Sequence, residues 1–321
     1  MLRATLNSAR ARSAVHPFLF NAMGCPCALQ LEADADVAAR ASAAAQAEVD
    51  RLDRKYSHYR DDSLVAQIGA SADSGESIVV DNETADLLDF SATLHAQSGG
   101  RFDITAGALT KLLDLQSGRV PDAATIERAR ALCGWNRVEW NRPLLRLGVA
   151  GMRLDLGGVV KEYAADRAAQ VCRDVGIIHG IVDLGGDLAV IGAHADLSPW
   201  LAGIKAPRDT SRAFAQIELH GGGLATSGDY ERAVIVDGRR YSHIVDPVSG
   251  YPVESFASVS VVADSCLVAG AASTLGMLLG LSAGYDWLMG LGLPFLCIDA
   301  DGNASGTLVG SRGEGRGARD E

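Results

Sequence analysis

Asp155-Leu156-Gly157-Gly158-Val159-Val160-Lys161-Glu162-Tyr163 runs into an alanine-rich stretch that ends at Val175-Gly176, and Ile181-Val182-Asp183-Leu184-Gly185-Gly186-Asp187-Leu188-Ala189-Val190-Ile191 follows closely. Val159 to Val175 reads as a helix closed by Gly176, since glycine accepts the left-handed conformation that ends a helix. Ile181 to Asp183 and Leu188 to Ile191 read as strands on either side of a Gly185-Gly186 turn. A helix that feeds such a pair of strands breaks the strict βαβ rhythm of a doubly wound sheet, so the fold class is α+β.

The flanking sequence extends this pattern. Cys27 to Ala33 alternates as a strand. Val37, Ala41, Ala45, Val49, Leu52 and Tyr56 recur at helical spacing, which predicts a helix over Asp36–Tyr56 with Asp36 able to serve as N-cap. Asp81 or Asn82 caps a helix that carries Leu87, Leu88 and Leu94 and stops at Gly99-Gly100. Pro121-Asp122 opens a short helix ending at Gly134, and Val138–Trp140 with Leu144–Leu147 forms a hairpin. Phe214–Leu219, Ala233–Val236 and Ser258–Ala263 are strands; an apolar helix covers Cys266–Leu279, stopped by Gly280, and Phe295–Asp299 closes the sheet. No repeat or linker divides the chain. A single domain over 16–309 is expected, with disordered termini at 1–15 and 310–321.

Of 321 residues, 48% are apolar, enough for a sizeable core. The net charge of −11 argues against nucleic acid as the partner, although backbone N–H groups can still hold an anionic ligand locally. Among six cysteines only Cys25 and Cys27 are close, and no second pair completes a zinc set; scattered buried thiols in a reducing compartment are the preferred reading. No apolar run of membrane-spanning length occurs, and the first twenty residues lack a signal-peptide core, so a soluble cytoplasmic protein is expected.

Three glycine clusters, Gly157-Gly158, Gly185-Gly186 and Gly221-Gly222-Gly223, suggest a ligand cradle, though a turn explains each one singly. Asp103, in Phe102-Asp103-Ile104-Thr105, is either a cap or a site residue. The densest polar segment is Ala225-Thr226-Ser227-Gly228-Asp229-Tyr230-Glu231-Arg232, followed by Ser242-His243-Ile244-Val245-Asp246-Pro247. Either His243 or Asp246 can act there as a general base toward an attacking hydroxyl.

Taken in order, these pieces resemble the ApbE-type FAD:protein FMN transferases. The resemblance runs from about Met23 to Gly306. It rests on Met23-Gly24, Tyr56-Ser57-His58-Tyr59-Arg60 with Ser63, Gly100 to Thr105, and Asp155 to Gly158 with Lys161, Tyr163 and Asp166. Leu184 to Asp187, Ala225 to Tyr230, His243 to Pro247 and Ser273-Thr274 complete it. It implies a T-fold-related domain of two lobes with FAD in the cleft between them. It also implies transfer of FMN from FAD to a Thr or Ser of an acceptor flavoprotein, with AMP released and Mg²⁺ on the diphosphate.

Residue by residue, the resemblance places Thr226, Ser227, His243 and Asp246 at the reacting end. It places Met23, Ser57, Asp103, Thr105, Asp155, Gly157, Gly158, Lys161, Asp166, Gly185, Gly186, Asp187 and Gly228 around FAD. Thr274 and the Val160 carbonyl match metal ligands.

The chain departs from the family pattern in several places. Gly270 stands where an Asp usually precedes the ligand threonine by four residues, and Glu162 stands where Gly usually follows the lysine. Either Glu162 supplies the missing carboxylate or it is a solvated helix residue. Cys25-Pro26-Cys27 replaces the usual Thr and aromatic, and Ser249 replaces Thr. These changes keep two alternatives open: an FAD-binding protein without transferase activity, and a Mg²⁺-dependent FAD pyrophosphatase.

Overall fold

The computed structural model describes residues 14–113, 120–230, 234–236, 239–253 and 255–309. Eight strands form one sheet in chain order: Val15–Ala22, Cys25–Glu32, Gly180–Leu184, Asp187–Gly192, Gly223–Gly228, Ser258–Ala263, Phe295–Ile298 and Ala304–Ser305. Every neighbouring pair is antiparallel. This is the α+β arrangement expected from the helix that leads into a hairpin.

Alternation along the strands sends side chains to two different layers. Ala189 and Ile191 face a helical layer, whereas Leu188 and Val190 face a two-stranded ribbon made of Trp200–Ala206 and Asp209–Leu219. The helical layer consists of Ala35–Tyr56, Val160–Val175 and Cys266–Leu279. Ala38, Ala41 and Ala45 on the first helix and Ala164, Ala165, Ala168 and Ala169 on the second are all buried, and their small side chains let the two helices pack closely.

Three predicted elements have the expected bounds, Leu144–Leu147, Ser258–Ala263 and Cys266–Leu279. The first helix begins one residue early: Asp34 holds the N-cap position and Asp36 lies in the first turn, where its charge complements the helix dipole. Asp81 is the cap of Asn82–Gln97, accepting from the Thr84 amide at 2.8 Å. The helix after Pro121 ends at Arg130, not at Gly134.

A strand begins at Val15, inside the segment expected to be disordered; the remainder of that segment through residue 13 and the tail 310–321 lie outside the described residues, as does Ala233. Sequence periodicity also misses Trp200–Ala206 and the helices Leu64–Ser74 and Leu281–Leu291. No helix among the described residues is long and apolar enough to cross a membrane.

Candidate active site

Two tight hairpins open the site. Ala22 pairs with Cys25 and Leu184 with Asp187, so each hairpin has a two-residue tip, Met23-Gly24 and Gly185-Gly186. All four tip residues have positive φ, as strand twist demands of such turns. Met23, at φ 51°, is the strained member, and its N–H donates to the Asp53 carboxylate at 3.3 Å. The tips lie side by side because the Gly185 amide donates to the Pro26 carbonyl. A side chain at Gly185 would strike the Cys25 sulfur.

Cys25 and Cys27 face each other, with their sulfurs 3.9 Å apart. The neighbouring Cys25 thiol, together with burial, pushes the Cys27 thiol far above its ordinary range, so it stays protonated.

These tips form part of a cleft of about 1490 Å³. That exceeds the ~300–1000 Å³ usual for small-ligand pockets. The second wall is the Asp155–Gly158 turn ahead of helix Val160–Val175, whose start has no side-chain cap. Asp155 organises it: one oxygen accepts from the Gly157 amide at 2.8 Å and faces His58 Nδ1 at 3.2 Å, and the other accepts from Thr110 Oγ1 at 2.8 Å. Burial would raise the Asp155 pKa, but the hydrogen bond and charge of His58 outweigh it and hold the carboxyl below its usual value.

The third wall is the strand Gly223–Gly228. Ser227 turns to the helical layer and meets Ser273 Oγ at 2.8 Å and Thr274 Oγ1 at 3.0 Å. Thr226 points to the other face and meets Ser260 Oγ at 2.8 Å, while its amide donates to Asp187 at 3.2 Å. Asp187 also pairs with the Lys161 ammonium at 2.7 Å, tying this strand to the start of the helix. The fourth wall is the segment from Tyr241 to Val245, with His243 exposed at the cleft.

The cleft wall therefore brings together Met23, Ser57, Asp103, Asp155, Gly157, Gly158, Val160, Lys161, Glu162, Gly185, Gly186, Thr226, Ser227, Gly228, His243 and Thr274. Four expected site residues are not on it. Thr105 is buried, with its hydroxyl between Asp103 at 2.6 Å and the Gly134 amide at 2.6 Å. Asp166 accepts from the Cys266 and Leu267 amides, both at 2.9 Å, and so caps the helix Cys266–Leu279; burial raises its pKa despite those bonds. Asp187 holds Lys161 and the Thr226 amide from beneath. Asp246 is buried, accepting from Arg101 Nη1 at 2.6 Å and from the Val248 amide at 3.0 Å. These carboxylates hold neighbouring segments in place and are not part of the cleft lining.

The third glycine cluster also lies off the wall: a Cβ at Gly223 would come within 2.4 Å of the Cys266 nitrogen, so close backbone packing explains that glycine.

Sequence reasoning gave no role to Arg101, His58 or Asp183, all on the wall. Asp183 accepts from the Gly186 amide at 2.7 Å, and burial raises its pKa. The Tyr56–Arg60 motif held a signal for His58; nothing local signalled the pairing of Arg101 with a residue 145 positions away.

An α+β protein whose antiparallel sheet ends in a glycine-tipped, hydroxyl-lined cleft is the class that fold and site define. Residues 23–296 match the ApbE family, and the chain belongs to it. It is 31% identical over 274 residues to the FAD:protein FMN transferase of Klebsiella pneumoniae (strain 342), covering 82% of this chain and 78% of that protein. It is 33% identical over 240 residues to that of Treponema pallidum (strain Nichols), covering 69% and 66%. Among solved structures, the ApbE protein of Thermotoga maritima superposes with a TM-score of 0.84 at 30% identity, over 92% of this chain and 98% of that one. The apo form of Pseudomonas stutzeri flavinyl transferase ApbE gives 0.82 at 30% identity, over 93% and 96%.

Proposed function

We propose that this protein is an FAD:protein FMN transferase that moves FMN from FAD onto a Thr or Ser hydroxyl of an acceptor flavoprotein. The observation that carries the reading is the one cleft that the two hairpin tips, the Gly157-Gly158 turn, Thr226-Ser227, His243 and Thr274 all line. FAD is the substrate. Its diphosphate is assigned to the Gly157-Gly158 turn and the helix start behind it, where backbone N–H groups favour anions, with Lys161 adding positive charge.

The acceptor hydroxyl attacks the phosphorus of the FMN half. The P–O bond to the AMP half breaks, AMP leaves, and the acceptor oxygen keeps FMN as a phosphoester. His243 takes the proton from the attacking hydroxyl. Asp246 is the weaker candidate for that task, because Arg101 and the Val248 amide already engage both of its oxygens. Asp246 instead anchors the segment that carries His243.

Mg²⁺ is assigned to the oxygens of Thr274, the Val160 carbonyl and Glu162. No three His, Cys, Asp or Glu side chains cluster as a ligand set among the described residues. A donor set of hydroxyl, carbonyl and one carboxylate still fits Mg²⁺, which commonly keeps waters and uses one or two carboxylates with substrate phosphates. Bound there, the ion would neutralise charge on the diphosphate. All six cysteines are free thiols, which supports a reducing compartment, and we place the protein in the cytoplasm.

The test is incubation with FAD, Mg²⁺ and an acceptor domain, following AMP release and covalent fluorescence of the acceptor. Labelled acceptor is expected, and His243→Ala should slow labelling by about 10²- to 10⁴-fold while FAD still binds. AMP release without labelling would make the protein a pyrophosphatase; bound FAD without AMP would make it a binding protein.

A further inference from the structure

Glu162 occupies an unusual place for an acid. It lies in the first turn of helix Val160–Val175, is only 7% exposed, and reaches the cleft wall. Its side chain crosses to the neighbouring helix Cys266–Leu279 and fills the space beside Gly270. A Cβ built on Gly270 would stand 2.3 Å from Glu162 Cγ, 2.9 Å from Cδ and 3.1 Å from Oε1. Even a methyl group there would strike the middle of the glutamate side chain, which has little room to retreat inside a packed layer. Gly270 is itself buried.

Thr274 lies one helical turn beyond Gly270, so both are on the same helix face. Its hydroxyl is held by Ser227 at 3.0 Å. The contact with Gly270 therefore puts the Glu162 side chain against the face of helix Cys266–Leu279 that carries Thr274.

We infer that Glu162 and Gly270 form one device: the carboxylate of the divalent-cation site is carried by the helix Val160–Val175, and the missing side chain at Gly270 is the slot that seats it. This deepens the transferase reading and rests on it for the identity of the cation. The device has a reciprocal form, in which the acid stands at 270 and the small residue at 162. The two arrangements place a carboxylate in the same volume from opposite helices, so either one is complete and a mixture of the two is not.

Binding of the metal alone tests this on the full chain. Mn²⁺ serves as the probe, titrated by electron paramagnetic resonance, and Mg²⁺ binding is read by calorimetry; circular dichroism reports the fold of each variant. Glu162→Gln keeps the shape and is expected to weaken Mn²⁺ binding by at least the ~10- to 100-fold that loss of even an outer partner costs. Gly270→Ala should weaken it similarly with Glu162 still present, because the methyl expels the carboxylate. The double variant Glu162→Gly with Gly270→Asp should regain most of the affinity that Glu162→Gly alone loses.

Undiminished Mn²⁺ affinity in folded Glu162→Gln overturns the proposal, as does failure of the double variant to recover any affinity over Glu162→Gly. AMP release and acceptor labelling are scored separately on the wild-type chain. Glu162-dependent Mn²⁺ binding without either product supports the device and defeats the transferase reading alone.

Discussion

In the layer where helices Ala35–Tyr56 and Val160–Val175 lie on the sheet, Leu29, Leu31, Val49, Leu52 and Val182 are wholly buried among alanines and other aliphatic side chains. The loops that wall the cleft are held differently. Asp103 accepts from the Thr105 amide and hydroxyl and from the Trp135 amide, Asp155 joins His58, Thr110 and Gly157, and Asp246 joins Arg101 and Val248. One region is cemented by non-directional burial and the other by carboxylates that accept directional bonds. Burial tolerates rearrangement so long as volume is kept, whereas a carboxylate clamp fixes where each backbone segment sits. The cleft, lined by hydroxyls, glycine turns and His243, is held by the second kind of order.

The largest effect expected from breaking this contrast is in the layer. Leu29→Ala should cost about 3 kcal/mol of global stability in urea unfolding, through lost burial and the cavity left behind. Below the unfolding range, FAD affinity should be unchanged. Asp103→Ala should cost less, about 2 kcal/mol, because it releases three hydrogen bonds to one loop. It should weaken FAD binding measured by flavin fluorescence. If Asp103→Ala unfolds the chain as deeply as Leu29→Ala and leaves affinity intact, the two regions are not distinct.

The smallest effect sharpens the comparison at the rim of the layer. Glu83 pairs with Arg51 at 2.6 Å and Lys55 at 2.7 Å; burial would raise its pKa, but these cations win and lower it to about 2. A carboxyl lowered on folding stabilises the fold above its ordinary value of 4.5, and that stability is lost as pH falls toward 2. Because the pairs are partly exposed, the contribution should be about 1 kcal/mol or less. Glu83→Gln should flatten the pH dependence of the melting temperature between these two values; an unchanged slope would remove Glu83 from the account.

The two regions also differed in how legible they were. Helix Cys266–Leu279 and strand Ser258–Ala263 were readable because apolar runs with a Ser cap and a glycine stop are local signals. The strand Val15–Ala22 was not: its burial alternates, but as an edge strand it carries apolar residues on both faces, Val15 and Leu19 exposed and Phe18 and Phe20 half-buried, so the sequence shows no two-residue contrast. The turns that form the cleft were legible as glycine clusters, but two of the three clusters line it and the third serves backbone packing. Asp166, Asp187 and Thr105 stood in the right motifs, yet their oxygens are spent on amides, a lysine and each other's loops.

By itself the sequence determined the α+β class, the main helices, the family resemblance and the residue types available for phosphoryl chemistry, because periodicity, caps and motif order are properties of neighbouring residues. Only the tertiary structure decided which carboxylates line the cleft and which clamp the segments behind it, that Arg101 meets Asp246 across 145 positions, and that Glu162 fills the space beside Gly270. Those outcomes depend on distances between segments remote in the chain, and they are set when the layers pack.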